Sequence, residues 1–250
     1  MELILMGTAC AACGVDRDNT YLLFRDASGS TLVDVGGNPL GKLKKLDMTT
    51  GEIKRIIFTH FHTDHVYGLP SLLWGMWMDG RAEALDIYCA SACEATLRGW
   101  LEALQTGTWP ILFDIRIHTF DWERPAEICR GGDLAISSFP SLHAGPTVGL
   151  KIAYKDRTIV YSADTMLNAS INEVPRVDLL VHEATTAREP LPFHSSLQGV
   201  AGYYDMSHID RIVLVHVTDR EPYEEVLEEL PEEKRAKISI ASDLQVFSFD

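Results

Sequence analysis

Short apolar runs, separated by polar or glycine-containing breaks, recur along the whole chain. They lie at 3–6, 21–24, 31–35, 55–58, 85–88, 111–117, 134–138, 148–154, 158–161, 178–181, 211–215 and 245–249. Their length and β-branched content predict strands. Breaks such as Asp26-Ala27-Ser28-Gly29-Ser30 and Lys155-Asp156-Arg157 read as hairpin connections. Between other runs the spacing changes to a helical one. Over 91–105, Ala95, Leu97, Leu101 and Leu104 fall at helical intervals behind Ser91, a suitable N-cap. Segments 195–205 and 222–230 read the same way. Hairpins followed by alternating strands and helices predict an α/β protein in which mixed sheets are covered by helices. A weak twofold repeat, with halves 1–140 and 141–250, points to one domain over 1–250 built as a four-layer αββα sandwich.

Composition and charge narrow the partners. A chain of 250 residues, 46% hydrophobic and 23% charged, can bury a large core without disulfides. No apolar run reaches the length of a membrane span, so no membrane association is expected. The segment 1–7 reads as a first strand rather than a signal peptide. The formal net charge is −14, and the densest basic stretch holds only Lys42, Lys44 and Lys45. That balance counts against gripping a long nucleic acid, which calls for a basic stripe. The acidic segment 221–233 reads as a solvated helix face. The five cysteines, an odd number in a large chain, point away from a disulfide framework and towards a reducing cytoplasm. Cys10-Ala11-Ala12-Cys13 has metal-knuckle spacing but no second such pair, and is expected to be a loop with free thiols.

The most informative segment follows the run at 55–58. There, His60-x-His62-x-Asp64-His65 places four ligand-type side chains within six positions. In an extended loop, His60 and His62 point the same way and can share a metal, while Asp64 and His65 lie past the turn and can reach a second one.

This segment resembles the HxHxDH motif of the metallo-β-lactamase fold. Its other landmarks follow in order, each at the end of an apolar run: His143 in Ser141-Leu142-His143, Asp164 in Ser162-Ala163-Asp164, and His216 in Leu214-Val215-His216. The resemblance implies that His60, His62, His143 and Asp164 hold one metal. Asp64, His65, His216 and the bridging Asp164 would hold the other. It also implies that Asp34, in Asp34-Val35-Gly36, supports the histidine loop rather than binding metal. Two divalent ions are expected, zinc first, with manganese or iron as alternatives.

Three features resemble the ribonuclease Z branch and its small phosphodiesterase relatives: Gly68-Leu69-Pro70 after the histidine motif, His182-Glu183-Ala184-Thr185, and Phe193-His194-Ser195-Ser196. In that branch the histidine matching His194 acts as general acid or phosphate-binding group, and the glutamate matching Glu183 orients it. Only 20 residues lie between His143 and Asp164, and they read as a plain hairpin. The long basic arm of the transfer-RNA-processing members has no room there. The expected activity is therefore hydrolysis of a small phosphodiester or cyclic phosphate. A hydroxide held between the metals would attack, with Asp64, His194 and Glu183 as catalytic residues. Lactone or thioester hydrolysis at the same metals, ribonuclease Z-type processing, and a non-catalytic metal-holding or cofactor-assembly role are the alternatives. Relatives also carry the expectation of a homodimer. His118, His182 and His208 are expected to be structural, and Trp74, Met76, Trp77 and Met78 to pack in the core.

Overall fold

The apolar runs resolve into fourteen strands and eight helices in a computed structural model that describes residues 1–250. In the first half these are β1 (Glu2–Gly7), β2 (Tyr21–Asp26), β3 (Gly29–Val33), α1 (Pro39–Lys45), β4 (Ile53–Ile57), α2 (Thr63–Val66), α3 (Leu69–Met78), β5 (Leu85–Ala90), α4 (Glu94–Ala103) and β6 (Ile115–Phe120). Next come β7 (Ala126–Gly131), β8 (Leu134–Pro140), β9 (Val148–Tyr154), β10 (Arg157–Tyr161), α5 (Ala169–Asn172), β11 (Leu179–Glu183), α6 (Leu197–Tyr203) and β12 (Ile212–Val215). The chain ends with α7 (Tyr223–Glu229), α8 (Glu232–Arg235), β13 (Ile238–Ile240) and β14 (Gln245–Ser248).

The strands form two seven-stranded sheets, ordered β14-β1-β2-β3-β4-β5-β6 and β13-β12-β11-β10-β9-β8-β7. Both follow one plan. An antiparallel meander (β14-β1-β2-β3, or β7-β8-β9-β10) continues into three parallel strands. The chain passes from the first sheet to the second between Phe120 and Ala126. The chain leaves the first sheet at β6, and the His143 loop joins β8 to β9 inside the second sheet. β14 then crosses back to complete the first sheet.

Side-chain alternation makes the layers. In the second sheet Ile159, Tyr161, Leu179, Val181, Val213 and Val215 join a cluster of 46 buried residues that also contains the strands of the first sheet. Their neighbours Val160, Leu180, Ile212 and Leu214 point the other way, into a cluster of 19 with Leu197, Val200, Val226 and Leu227 from α6 and α7. Period-2 strands with both faces covered are the signature of sheets between helical layers. Each such side chain, wholly removed from water, contributes roughly 1.5–3 kcal/mol before conformational entropy is subtracted.

Some elements differ from expectation. The run at 111–117 becomes strand only from Ile115, where pairing with Leu85 begins. Strands β7 and β13 were not legible: β7 is an edge strand with one buried residue, and β13 has three residues. Ser91 opens a short 3-10 turn, and α4 begins three residues later, at Glu94, without a side-chain cap. On α3, Met76 is buried, but Trp74 is 47% and Met78 67% exposed. Trp74 packs edge-on against Trp77 and Trp109 at the surface. No helix is long and apolar enough to cross a membrane.

Candidate metal centre

Most of the singled-out side chains sit at or just past the C-terminal ends of strands, where the two sheets present one rim, with Asp64 and His65 on α2 and His194 in the loop before α6. Asp34 follows β3, His60 follows β4, His143 follows β8, Asp164 follows β10, Glu183 ends β11 and His216 follows β12. Asp34 and His216 take left-handed backbone conformations (φ 61° and 56°), as do Ala163 and Phe193. Four non-glycine residues in that region within one site mark a local strain that the surrounding packing sustains.

The structure brings all seven expected ligands together. His60, His62, His143 and Asp164 form one group whose ligand atoms lie within 4.8 Å of one another, and Asp64, His65 and His216 form a second. Asp164 also reaches members of the second group, and with His194 and His216 it forms a third. Its Oδ2 is 3.9 Å from His60 Nε2, 3.9 Å from His143 Nε2 and 3.3 Å from His216 Nε2, and its Oδ1 is 3.4 Å from His65 Nε2. Asp64 Oδ2 is 3.3 Å from His65 Nε2 and 3.5 Å from His216 Nε2. His143 Nε2 and His62 Nδ1 are 3.1 Å apart. Ligands about 2.0–2.1 Å from a tetrahedral ion stand about 3.3 Å from each other.

Proton accounting gives the strongest test of whether a cation fits. A neutral imidazole that donates from Nδ1 presents a bare lone pair at Nε2. His60 Nδ1 is 3.0 Å from Thr59 Oγ1, whose own proton goes to Asp34 Oδ2. His65 Nδ1 donates to Asp34 Oδ2 (2.9 Å), and His143 Nδ1 to the Phe193 carbonyl (2.8 Å). His216 Nδ1 lies 2.9 Å from Thr185 Oγ1. Four rings are thus pinned with Nε2 inward. His60 Nε2, His65 Nε2, His216 Nε2, Asp64 Oδ2 and Asp164 Oδ1 are buried without a hydrogen-bond partner. An unpaired buried polar atom costs about 1–3 kcal/mol. Five converging on one point fit a centre built for divalent cations.

The electrostatics suit most of the set, and His65 is the exception: burial would lower it, but the charges of Asp164 and Asp34 outweigh burial and hold it well above the usual imidazole range, so a cation bound there must displace its proton. Burial, with the charge of His65, holds His60 well below the usual imidazole range. Burial also lowers His143. Burial would raise the carboxyls of Asp64 and Asp164, but the surrounding histidines overcome it and hold both well below the usual range. Neutral imidazoles and ionised carboxylates are the protonation states that bind metal. Asp34 is fully buried and touches no other ligand group than His65. It accepts from the Thr59 amide (2.8 Å), the Thr59 hydroxyl and His65. Asp34→Ala is expected to weaken metal affinity about 10–100-fold, because partners that orient ligands carry that much. Chelator competition measures it, and wild-type affinity would contradict the role.

Beside the ligands, Glu183 and His194 form a close pair: His194 Nδ1 donates to Glu183 Oε1 at 3.0 Å. Glu183 is buried and also accepts from the Thr165 and Thr185 amides. Burial would lower His194, but the hydrogen bond and charge of Glu183 outweigh it and raise it above the ordinary histidine value. His194 stacks on His216, ring centroids 5.4 Å apart, and its Nε2 makes no hydrogen bond within the protein. Next to it opens a cavity of about 770 Å³, walled by Leu142, Met166, Leu191 and Phe193, with Arg188, Glu189 and Gln198 among its polar members.

Of the other histidines, His118 is exposed on β6 and pairs with Asp86 (2.7 Å). His182 faces away from the ligands, bonded to the Glu183 carbonyl and the Tyr204 hydroxyl. His208 Nδ1 has no partner. All five cysteines are free, Cys10 buried and Cys13 exposed. Sequence reasoning did not single out Thr59 or Thr185, whose hydroxyls bind ligand histidines. Their only signal was position, next to His60 and two residues after Glu183.

The chain matches the family described as "Anti-Pycsar protein Apyc1" over residues 1–244. It belongs to that family. Among curated relatives, it is 27% identical to a ribonuclease BN of Cronobacter sakazakii over 70% of its own length, and the match spans 57% of that relative. The human tRNase Z, short form, superposes with a TM-score of 0.80 at 21% identity over 99% of both chains. The metallo-β-lactamase fold protein YhfI from Bacillus subtilis gives 0.79 at 19% over 98% of both. This member of the Apyc1 family thus has the metallo-β-lactamase fold and stands with ribonuclease Z-like proteins.

Proposed function

We propose that this chain is a phosphodiesterase that hydrolyses a small phosphodiester or cyclic phosphate at a pair of divalent metal ions. The observation that carries the reading is the Glu183–His194 pair, 3.0 Å apart, with a free His194 Nε2 beside the ligand groups. His60, His62, His143 and Asp164 would hold one ion, and Asp64, His65, His216 and Asp164 the other, zinc being the first expectation for this donor set. Bound there, divalent ions supply Lewis acidity and lower the pKa of water.

The chain's own groups do the rest. The outer oxygen of Asp64 accepts a hydrogen bond from the attacking water and orients it. His194, held by Glu183 Oε1, presents a protonated Nε2 to the leaving oxygen. As that proton leaves, the Glu183 carboxylate keeps the remaining proton on Nδ1 and the ring in place. The cavity beside His194 takes the organic part of the ester against Leu142, Met166 and Phe193. Two observations favour a small substrate over a folded RNA, even though relatives carry the names ribonuclease BN and tRNase Z. The net charge is −14. The segment between His143 and Asp164 is the plain β9–β10 hairpin. No arm extends from it.

A substrate panel tests this. Bis(p-nitrophenyl) phosphate, 2′,3′-cyclic AMP and 3′,5′-cyclic AMP are set against a lactone, a thioester and a precursor tRNA. Turnover confined to the phosphodiesters supports the reading. Preferred turnover of the lactone or thioester replaces it with carbonyl chemistry, and cleavage of the precursor alone replaces it with tRNA processing.

A further inference from the structure

Thr185 stands where the ligand groups and the Glu183–His194 pair meet. Its side chain is buried, and its one oxygen has three close neighbours: His216 Nδ1 at 2.9 Å, Glu183 Oε2 at 3.0 Å and His194 Nδ1 at 3.2 Å. A hydroxyl has one proton and two lone pairs. An ionised carboxylate only accepts, so the Thr185 proton goes to Glu183 Oε2. Both lone pairs then receive protons, and both ring nitrogens must carry one. His216 is thereby fixed with Nε2 bare, facing Asp64 and Asp164. His194 is fixed with Nδ1 protonated, shared between Thr185 and Glu183 Oε1.

The placement of this oxygen is itself over-determined. The Thr185 amide donates to Glu183 Oε2 at 3.1 Å, and its carbonyl accepts from Thr218 Oγ1 at 2.6 Å. Tyr223 OH donates to the Ala184 carbonyl at 2.6 Å. Thr218 lies two residues beyond His216, so this short segment ties the loop after β11 to the loop after β12. Glu183 then collects four bonds, two on each oxygen, and its rotamer is set partly by Thr185.

We propose that Thr185 is a positioning residue that couples the metal-binding His216 to the Glu183–His194 pair through one hydroxyl. The second half of this inference rests on the reading of His194 as the acid of the reaction. The first half, the tautomer of His216, does not.

The test compares wild type with Thr185→Val, Thr185→Ser, His194→Ala and the Thr185→Val/His194→Ala double variant. Zinc affinity is read by competition with a chromogenic chelator. The kcat and KM are read at saturating zinc on 3′,5′-cyclic AMP. Thr185→Val keeps the branched shape but no hydroxyl. It is expected to weaken zinc binding and lower kcat by about 10–100-fold each, the range for groups that orient ligands, with KM little changed. Thr185→Ser is expected to stay close to wild type on both readouts, which a purely packing role for the methyl would not produce. The double variant is expected to lose hardly more kcat than His194→Ala alone, because both changes remove one unit. Wild-type zinc affinity and kcat in Thr185→Val would overturn the proposal, and so would losses that multiply in the double variant. If the wild type hydrolyses no diester, the phosphodiesterase reading falls. Zinc affinity in Thr185→Val then still decides the His216 half. Should that variant fail to fold, Thr185→Ala carries the same comparison.

Discussion

Asp164→Ala is expected to empty both ligand groups at once and to lower diester hydrolysis by on the order of 10³-fold or more. The carboxylate stands 3.3–3.9 Å from His216, His65, His60 and His143, so no other single side chain serves both sites. Bound ions supply several kcal/mol of transition-state charge stabilisation, and about 1.4 kcal/mol corresponds to each tenfold in rate. The loss has a reading that needs no activity. A ligand that binds only the folded protein stabilises it by about 4 kcal/mol at a thousand times its Kd. Zinc should therefore raise the melting temperature of the wild type and leave that of Asp164→Ala almost unmoved. A variant that keeps a zinc-dependent melting shift and wild-type turnover would remove Asp164 from the centre.

His194→Ala is expected to lower kcat by about 10²–10⁴ on a diester with an alkoxide leaving group, the usual range for a general acid. The loss should be far smaller with bis(p-nitrophenyl) phosphate, because p-nitrophenolate departs as a stable anion near neutral pH and needs no proton. The two substrates thus separate the acid from mere structural support. The pH dependence follows with a definite sign. An acid works only while protonated, and Glu183 raises His194 above its ordinary value, against the effect of burial. Wild-type turnover of 3′,5′-cyclic AMP should fall as pH rises through that raised value. The p-nitrophenyl substrate, and the alanine variant on either substrate, should lack this limb. Equal losses on both substrates would assign His194 to phosphate binding instead.

Much of the fold was legible because its strands are short, apolar and bounded by clear turns. The hairpins at Asp26–Ser30 and Lys155–Arg157 appear where the polar breaks predicted them. What escaped was set by tertiary context rather than by local pattern. β7 holds one buried residue and reads as polar, and β13 survives as three residues only because β12 lies beside it. The His143 loop, conspicuous in sequence, joins β8 to β9 within one sheet, and the passage between the sheets comes earlier, after β6. The ligand residues stood out because histidine and aspartate rarely cluster at strand ends without chemistry to perform. Thr59 and Thr185 did not, since a threonine beside a histidine carries no signal until the ring's second nitrogen is seen to need a partner. The wall of the cavity was equally hidden: Leu142, Met166, Leu191 and Phe193 come from three separate loops that converge only in the folded chain.

The most direct test strips the purified protein with chelator, reloads it separately with zinc and manganese, counts bound ions per chain, and follows hydrolysis of bis(p-nitrophenyl) phosphate. Two ions per chain are expected in the reloaded protein, with turnover that disappears on stripping and returns on reloading, and no turnover in Asp164→Ala. Two bound ions without hydrolysis of this or any other diester, or hydrolysis indifferent to stripping, would contradict the proposed function.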